Sequence, residues 1–194
     1  WTARLEMRFV IDGALLDKSS RCCGFYGTEL ERHGSDGNPI IWFNVGACGI
    51  TLWGEDARRI APPISAEVLE RALLLELEYL EQGLAKNAGD RSDRAFRYNA
   101  YAVITACRIL YTARHGAIVS KGRACEWALA TLPERWRPVI ATARTNRLAD
   151  HGATTRGLET DGCDFVRFAK EQLRCVTRAT VAQDVDVRGR TAAG

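Results

Sequence analysis

The sequence predicts an α+β chain, with a mixed sheet region to about residue 60 followed by an all-α helical bundle. Three observations carry this reading. Arg4-Leu5-Glu6-Met7-Arg8-Phe9-Val10 alternates polar and apolar residues, the pattern of a half-buried strand. Ala61-Pro62-Pro63 stops regular structure, because a proline pair denies helical backbone to the residue before it. Beyond that break, apolar residues recur every three or four positions in several segments, the period of helices that bury one face.

After the first strand come a Gly- and Cys-rich stretch, an apolar segment at Ile40 to Val45 and a predicted strand at Gly49 to Trp53. Ser65 can cap the next helix, Ser65 to Gln82, made strongly apolar by Val68, Leu69, Ala72, Leu73, Leu75, Leu77 and Leu80. Glu67, Glu70, Glu76, Glu78 and Glu81 are read as its solvated face. Lys86 to Arg97 is polar and is expected to be a loop. A helix then carries Val103, Ile104, Cys107, Leu110 and Tyr111 inward and ends at His115-Gly116, where glycine follows a last turn carrying a cation. Ser120 is the expected cap of the next helix, with further helices at Glu134 to Leu148 and Asp164 to Val176. The polar stretch His151 to Gly162 links the last two. The expected domains are 1–60, 64–178 and a frayed tail at 179–194.

With 194 residues and 46% hydrophobic content, the chain can bury a sizeable core. A net charge of +3, from 27 basic and 24 acidic residues, argues against a dedicated nucleic-acid binder. Arg135, Arg137, Arg144 and Arg147 keep that reading as a rival, although they interleave with a core pattern. The seven cysteines show no CxxC or His-paired metal spacing, and their odd number points to reduced thiols in a cytoplasm. The longest apolar runs are too short to span a bilayer. Trp127, Trp136 and Tyr111 read as core aromatics rather than stacking platforms.

The segment from Asn99 to Ile140 is the most specific in the chain. Arg108 lies at the edge of the apolar face of one helix, and Lys121 opens the next, where free backbone N–H groups already favour an anion. The CRILYT run with Arg108 and Tyr111, the His115-Gly116 turn, Ile118, Ser120-Lys121, the EWAL run from Glu126, Leu132-Pro133 and Arg137-Pro138-Val139 together resemble the C-terminal helical domain of bacterial aminoglycoside nucleotidyltransferases. The order and spacing agree without a gap across about forty residues. That resemblance implies that Arg108 and Lys121 contact the phosphates of ATP.

Upstream, Glu6 matches the glutamate that acts in that family as general base on the antibiotic hydroxyl, on a strand late in the nucleotidyltransferase domain. Cys23 to Leu30 resembles the FG-containing segment at the edge of the substrate cleft. The resemblance therefore places residues 1–60 in the last part of a nucleotidyltransferase domain, and the chain, opening at Trp1, reads as a fragment. The family holds Mg²⁺ on a GS turn followed by paired aspartates, and these are expected upstream of Trp1. Gly34-Ser35-Asp36-Gly37 lies after Glu6 and lacks the second acid, so no metal ligand is assigned within the chain.

The implied function is ATP-dependent O-adenylylation of an aminoglycoside or aminocyclitol antibiotic, by an enzyme that is a monomer when intact. The alternative is a non-catalytic, truncated helical domain with residual or no nucleotide binding. Glu29 stands where streptomycin-accepting members carry tryptophan, which favours spectinomycin over streptomycin. Asp90 is the best partner for a cationic drug, and Glu29 lies beside the same cleft in the resemblance. Arg147 replaces a family tyrosine, a further departure.

Overall fold

The computed structural model describes residues 6–9, 23–26, 29–31, 37–148, 158 and 160–175. The loop at Gly34, most of the His151 to Gly162 link and the tail at 179–194 lie outside these residues. The chain divides into two units, 1–72 and 73–194.

In the first unit, strands β1 (Glu6–Phe9), β2 (Cys23–Tyr26) and β3 (Glu29–Glu31) form an antiparallel meander in the order β1-β2-β3. The expected mixed sheet up to residue 60 is therefore corrected: no mixed sheet exists among the described residues, whose structure is dominated by helix. The apolar run after Asn38 forms helix α1 (Pro39–Cys48). Asn38 accepts the Ile40 N–H at 3.0 Å and Pro39 sits in the first turn, where its missing N–H costs nothing. The strand expected at Gly49 to Trp53 is also corrected. That segment is irregular, and Ile50, Leu52 and Trp53 are 83%, 96% and 95% exposed, so it has neither a pairing partner nor a buried face. Asp56 caps the short helix α2 (Ala57–Ile60) by accepting the Arg58 N–H, and it pairs with the Arg58 guanidinium at 2.8 Å.

Helix α3 (Ala66–Lys86) starts where Ser65 Oγ accepts the Val68 N–H, and it continues into the second unit. The loop expected from Lys86 to Arg97 is shorter than predicted. Ser92 caps α4 (Asp93–His115) by accepting the Ala95 N–H at 3.2 Å, so the helix begins inside the polar stretch. Gly116 closes α4 at φ 58° and donates to Thr112 O, a left-handed cap that suits glycine. Ser120 Oγ accepts the Arg123 N–H at 3.3 Å and opens α5 (Lys121–Thr131). A 3₁₀ turn (Glu134–Trp136) leads into α6 (Arg137–Leu148), and α7 spans 160–175.

Helix α4 is the spine of this unit and packs on α5 and α6. Twelve of its residues are buried, including Val103, Ile104, Cys107 and Leu110. Trp136, Phe165 and Phe168 add a ring cluster in which α7 meets the 3₁₀ turn, with Trp136 edge-on to Phe165 at 5.4 Å. Trp136 is thus a core aromatic, whereas Tyr111 and Trp127 are half-buried and stack with His115 near the end of α4. Arg137 pairs with Glu134, Arg144 pairs with Glu126 and Arg135 lies over Trp136, so these arginines are engaged within the fold. No described helix is long and apolar enough to cross a membrane.

The glutamates of α3 are not a uniformly solvated face. Glu81 accepts from Lys170 Nζ at 2.6 Å and from Arg167 Nε at 2.9 Å, tying α3 to α7. The Lys170 hydrogen bond holds the Glu81 carboxyl below its ordinary value against the opposing effect of burial, with a smaller contribution from Arg167. A depressed carboxylate stabilises the fold above its unfolded value of 4.5 and loses that contribution as pH falls through the folded value. Glu81→Gln should therefore cost about 1 kcal/mol at pH 7, most of it from Lys170 because exposed Arg167 is screened. The gap between the melting temperatures of the two proteins should begin to narrow below the unfolded value and close once the pH lies below the folded one, and a gap that persists there would refute the assignment.

Candidate functional site

Along α4, residues Arg94, Tyr98, Tyr101, Thr105 and Arg108 are spaced by four, three, four and three positions and so form one stripe. From Tyr98 to Leu110 every other residue of α4 is buried, and over that span the stripe itself is half-buried. It is polar and aromatic where a purely structural helix would present apolar side chains. Arg108 stands towards its C-terminal end. Lys121, the first residue of α5 after the short Gly116 to Ser120 connection, has its Nζ 4.8 Å from the centre of the Tyr101 ring.

Tyr101 records the local field. Its phenol is raised above the ordinary value by burial first, then by the Glu76 carboxylate, while the Thr105 side chain and, least, the positive charge of Arg108 pull the other way. Lys121 thus lies over a half-buried ring on the helix that also carries Arg108. The spacing of the helices that carry them is held by Cys107 and Cys125, 0% and 1% exposed. Their thiols are hydrogen-bonded, and that bond together with burial raises the Cys107 thiol well above its usual value, making it an inert packing group. Burial also raises the carboxyl of half-buried Glu76, so this glutamate is not on a fully solvated face.

At the other end of the stripe, a cavity of about 280 Å³ opens where α3 ends and α4 begins, lined by Tyr79, Gln82, Gly83, Lys86, Asn87, Asp90, Arg94 and Tyr98. Asp90 accepts the Ser92 N–H at 2.8 Å, which lowers its carboxyl below the usual range, with help from the Ser92 side chain and Arg94. Tyr98 is raised to about 12, chiefly by burial, and its hydroxyl has no hydrogen-bond partner among the described residues. That hydroxyl packs on the bare backbone of Gly83, where any Cβ would overlap the ring.

Alanine for glycine inside a helix usually gains about 1 kcal/mol. At Gly83 the Tyr98 ring must move first, so Gly83→Ala should instead lower stability by about 1–2 kcal/mol. Adding Tyr98→Ala should recover the helical gain, making the pair more stable than Tyr98→Ala alone. A double-mutant cycle by thermal melts checks this, and simple additivity would refute it.

Glu6 and Glu29 lie in the first unit. In the backbone register Glu6 pairs with Tyr26, and Tyr26 pairs with Glu29, so the two acids occupy one row across the three strands. Among the described residues, no three His, Cys, Asp or Glu side chains gather in a way that could hold a metal ion.

Tyr98, Tyr101, Gly83 and Glu76 were not among the predicted site residues. The four-three spacing of the α4 stripe was legible, but two tyrosines within a helix pattern look like ordinary core.

Residues 59–172 match the family described as "Aminoglycoside adenylyltransferase, C-terminal domain". The chain is 24% identical over 139 residues to a spectinomycin 9-adenylyltransferase of Campylobacter jejuni, an alignment covering 72% of this chain and 50% of that protein. It thus spans about half the length of the curated relative it matches.

Proposed function

The chain belongs to the aminoglycoside adenylyltransferase family through its C-terminal domain, and on that premise we propose that it acts in ATP-dependent adenylylation of an antibiotic hydroxyl, with spectinomycin favoured over streptomycin. The observation that supports this reading is the placement of Lys121 over Tyr101, on the helix that also carries Arg108. Two cations held by a rigid helical hairpin offset the charge of a triphosphate and fix its position, an electrostatic role rather than a chemical one. Backbone N–H groups at the start of α5 add to the same field.

In the proposed reaction the antibiotic oxygen attacks the α-phosphorus of ATP, the bond from that phosphorus to the bridging oxygen breaks, and pyrophosphate leaves. Glu6 accepts the hydroxyl proton. Mg²⁺, when bound, neutralises charge on the triphosphate, and its carboxylate ligands are not assigned to this chain. The spectinomycin preference rests on Glu29 in the place of a family tryptophan and on the name of the Campylobacter jejuni relative. A cytoplasmic setting belongs to the same reading and agrees with the free thiols of Cys48, Cys107, Cys125, Cys163 and Cys175.

Calorimetric titration of the whole chain with ATP, with and without Mg²⁺, tests the reading. Saturable binding of ATP in preference to AMP supports a triphosphate site in the helical unit. No heat at millimolar ATP would show that this polypeptide keeps the family fold without the nucleotide function.

A further inference from the structure

We propose that the turn between α1 and α2 is an association surface for a second copy of this chain, with Ile50, Leu52 and Trp53 packed about a two-fold axis and Glu55 of each copy facing Arg59 of the other. The inference does not depend on the nucleotide reading and lies wholly within the first unit. It departs from the monomer expected from the resemblance. Single apolar side chains on a surface need no explanation, but three almost wholly exposed ones within four positions do. The turn that carries them is well held: Thr51 Oγ1 accepts the Ala57 N–H at 2.7 Å across its base, Gly54 bends the chain at φ 89°, and Asp56 caps α2. Side chains presented on a fixed backbone lose little further freedom when a partner covers them.

Charge and area choose the occupant. Asp56 and Arg58 neutralise each other at 2.8 Å, whereas Glu55 and Arg59 are exposed and have no ion-pair partner among the described residues. The rim is therefore neutral overall, with one free charge of each sign, and it attracts neither anionic lipid nor nucleic acid. A patch that carries both signs is complementary to itself, because a two-fold rotation sets Glu55 against Arg59 twice. A tryptophan offers about 150–250 Å², and an isoleucine or leucine roughly 60–120 Å² of apolar surface at about 25 cal/mol per Å². The three side chains thus bring roughly 300–500 Å² per copy. Ile41 on α1 and Ile60 on α2, both partly exposed on helices that pack together, extend the apolar surface, and a pair of copies reaches about 1,000 Å², the lower bound for a specific interface. A reversible dimer of micromolar affinity is what such an area sustains.

The test is sedimentation velocity of the full chain over a concentration series at low salt, repeated in Leu52→Ser, Trp53→Ser and in charge reversals at the rim. All four altered positions are exposed, and thermal melts check that each variant folds like the parent. The parent should pass from monomer to dimer with concentration and stop there. The serine pair should raise the dissociation constant about thirtyfold or more. Glu55→Arg alone and Arg59→Glu alone should each weaken the dimer about fivefold, since each sets like charges together at two places, and the two reversals combined should restore it. A merely sticky surface would not recover on the second reversal, so failure to recover overturns the two-fold pairing. A chain that stays monomeric, a dimer unmoved by the serine pair, or growth into open-ended oligomers also overturns the proposal. So does co-sedimentation of the parent, but not of the serine pair, with neutral phosphatidylcholine vesicles in place of self-association, which would assign the turn to a lipid surface.

Discussion

Replacing Arg108 and Lys121 together by alanine is expected to weaken ATP binding at least a hundredfold while leaving the melting temperature nearly unchanged. A hydrogen bond from a charged donor to phosphate is worth about 1.5–3 kcal/mol, so loss of two removes roughly 3–5 kcal/mol of binding. Neither residue is part of the buried core of α4 or α5. Lys121 gives up its position over Tyr101, a contact worth about 0.5–1 kcal/mol at a partly exposed site. Affinity and stability should therefore separate. AMP sharpens the test, because it lacks the phosphates that the two cations are proposed to hold. The preference for ATP over AMP should collapse in the double variant, whereas Arg108→Lys should keep part of it, since charge survives and the planar fork does not. Unaltered ATP binding in the alanine pair would remove these residues from the site.

The helical unit was legible because its signals agree with one another. At the α4–α5 connection, Gly116 supplies the left-handed cap and Ser120 the N-cap, and both stand at the ends of periodic apolar runs. The start of α4 was misread because Asp93, Arg94 and Arg97 are polar. They lie on the exposed side of a helix whose opposite side already buries Ala95 and Phe96, and Ser92 gives it a good cap. The first unit was the harder part. Ile40 to Val45 is apolar on every side, and such a run does not by itself distinguish a strand from a helix; Asn38-Pro39 in front of it was the decisive cue. Trp53 and Leu52 carry strong strand signals with no surface to bury against among the described residues, and the backbone there stays irregular.

The site divides along the same line. Arg108 and Lys121 could be named as candidates from the sequence because the resemblance marked their positions. Glu76 could not, since a carboxylate on a Glu-rich helix looks solvated until tyrosines from the neighbouring helix cover it. Asp90 lines the cavity together with Lys86 and Arg94, residues four before and four after it, and the charge there is set by all three. The net sign of a cleft is a tertiary property, set by which side chains share a small volume.

Phe165→Ala should be the most damaging single substitution in the helical unit, costing about 3–5 kcal/mol. Phe165 is 0% exposed, the largest of the fully buried side chains, and meets Trp136 edge-on and Phe168 at a tilt. Removal leaves a cavity and also forfeits ring contacts worth about 0.5–1.5 kcal/mol beyond area. Against a typical domain stability of about 5–15 kcal/mol, that loss approaches unfolding. A melting temperature lower by roughly 10–20 °C is the expected readout. Phe165→Leu fills most of the space and should cost far less. The damage should also spread, because α7 holds α3 through Lys170 and Arg167 on Glu81, and α3 supplies Tyr79, Gln82, Gly83 and Lys86 to the cavity. A loss below about 1 kcal/mol, with tryptophan emission unshifted, would mean that α7 is not docked on Trp136 and that the bundle closes without it.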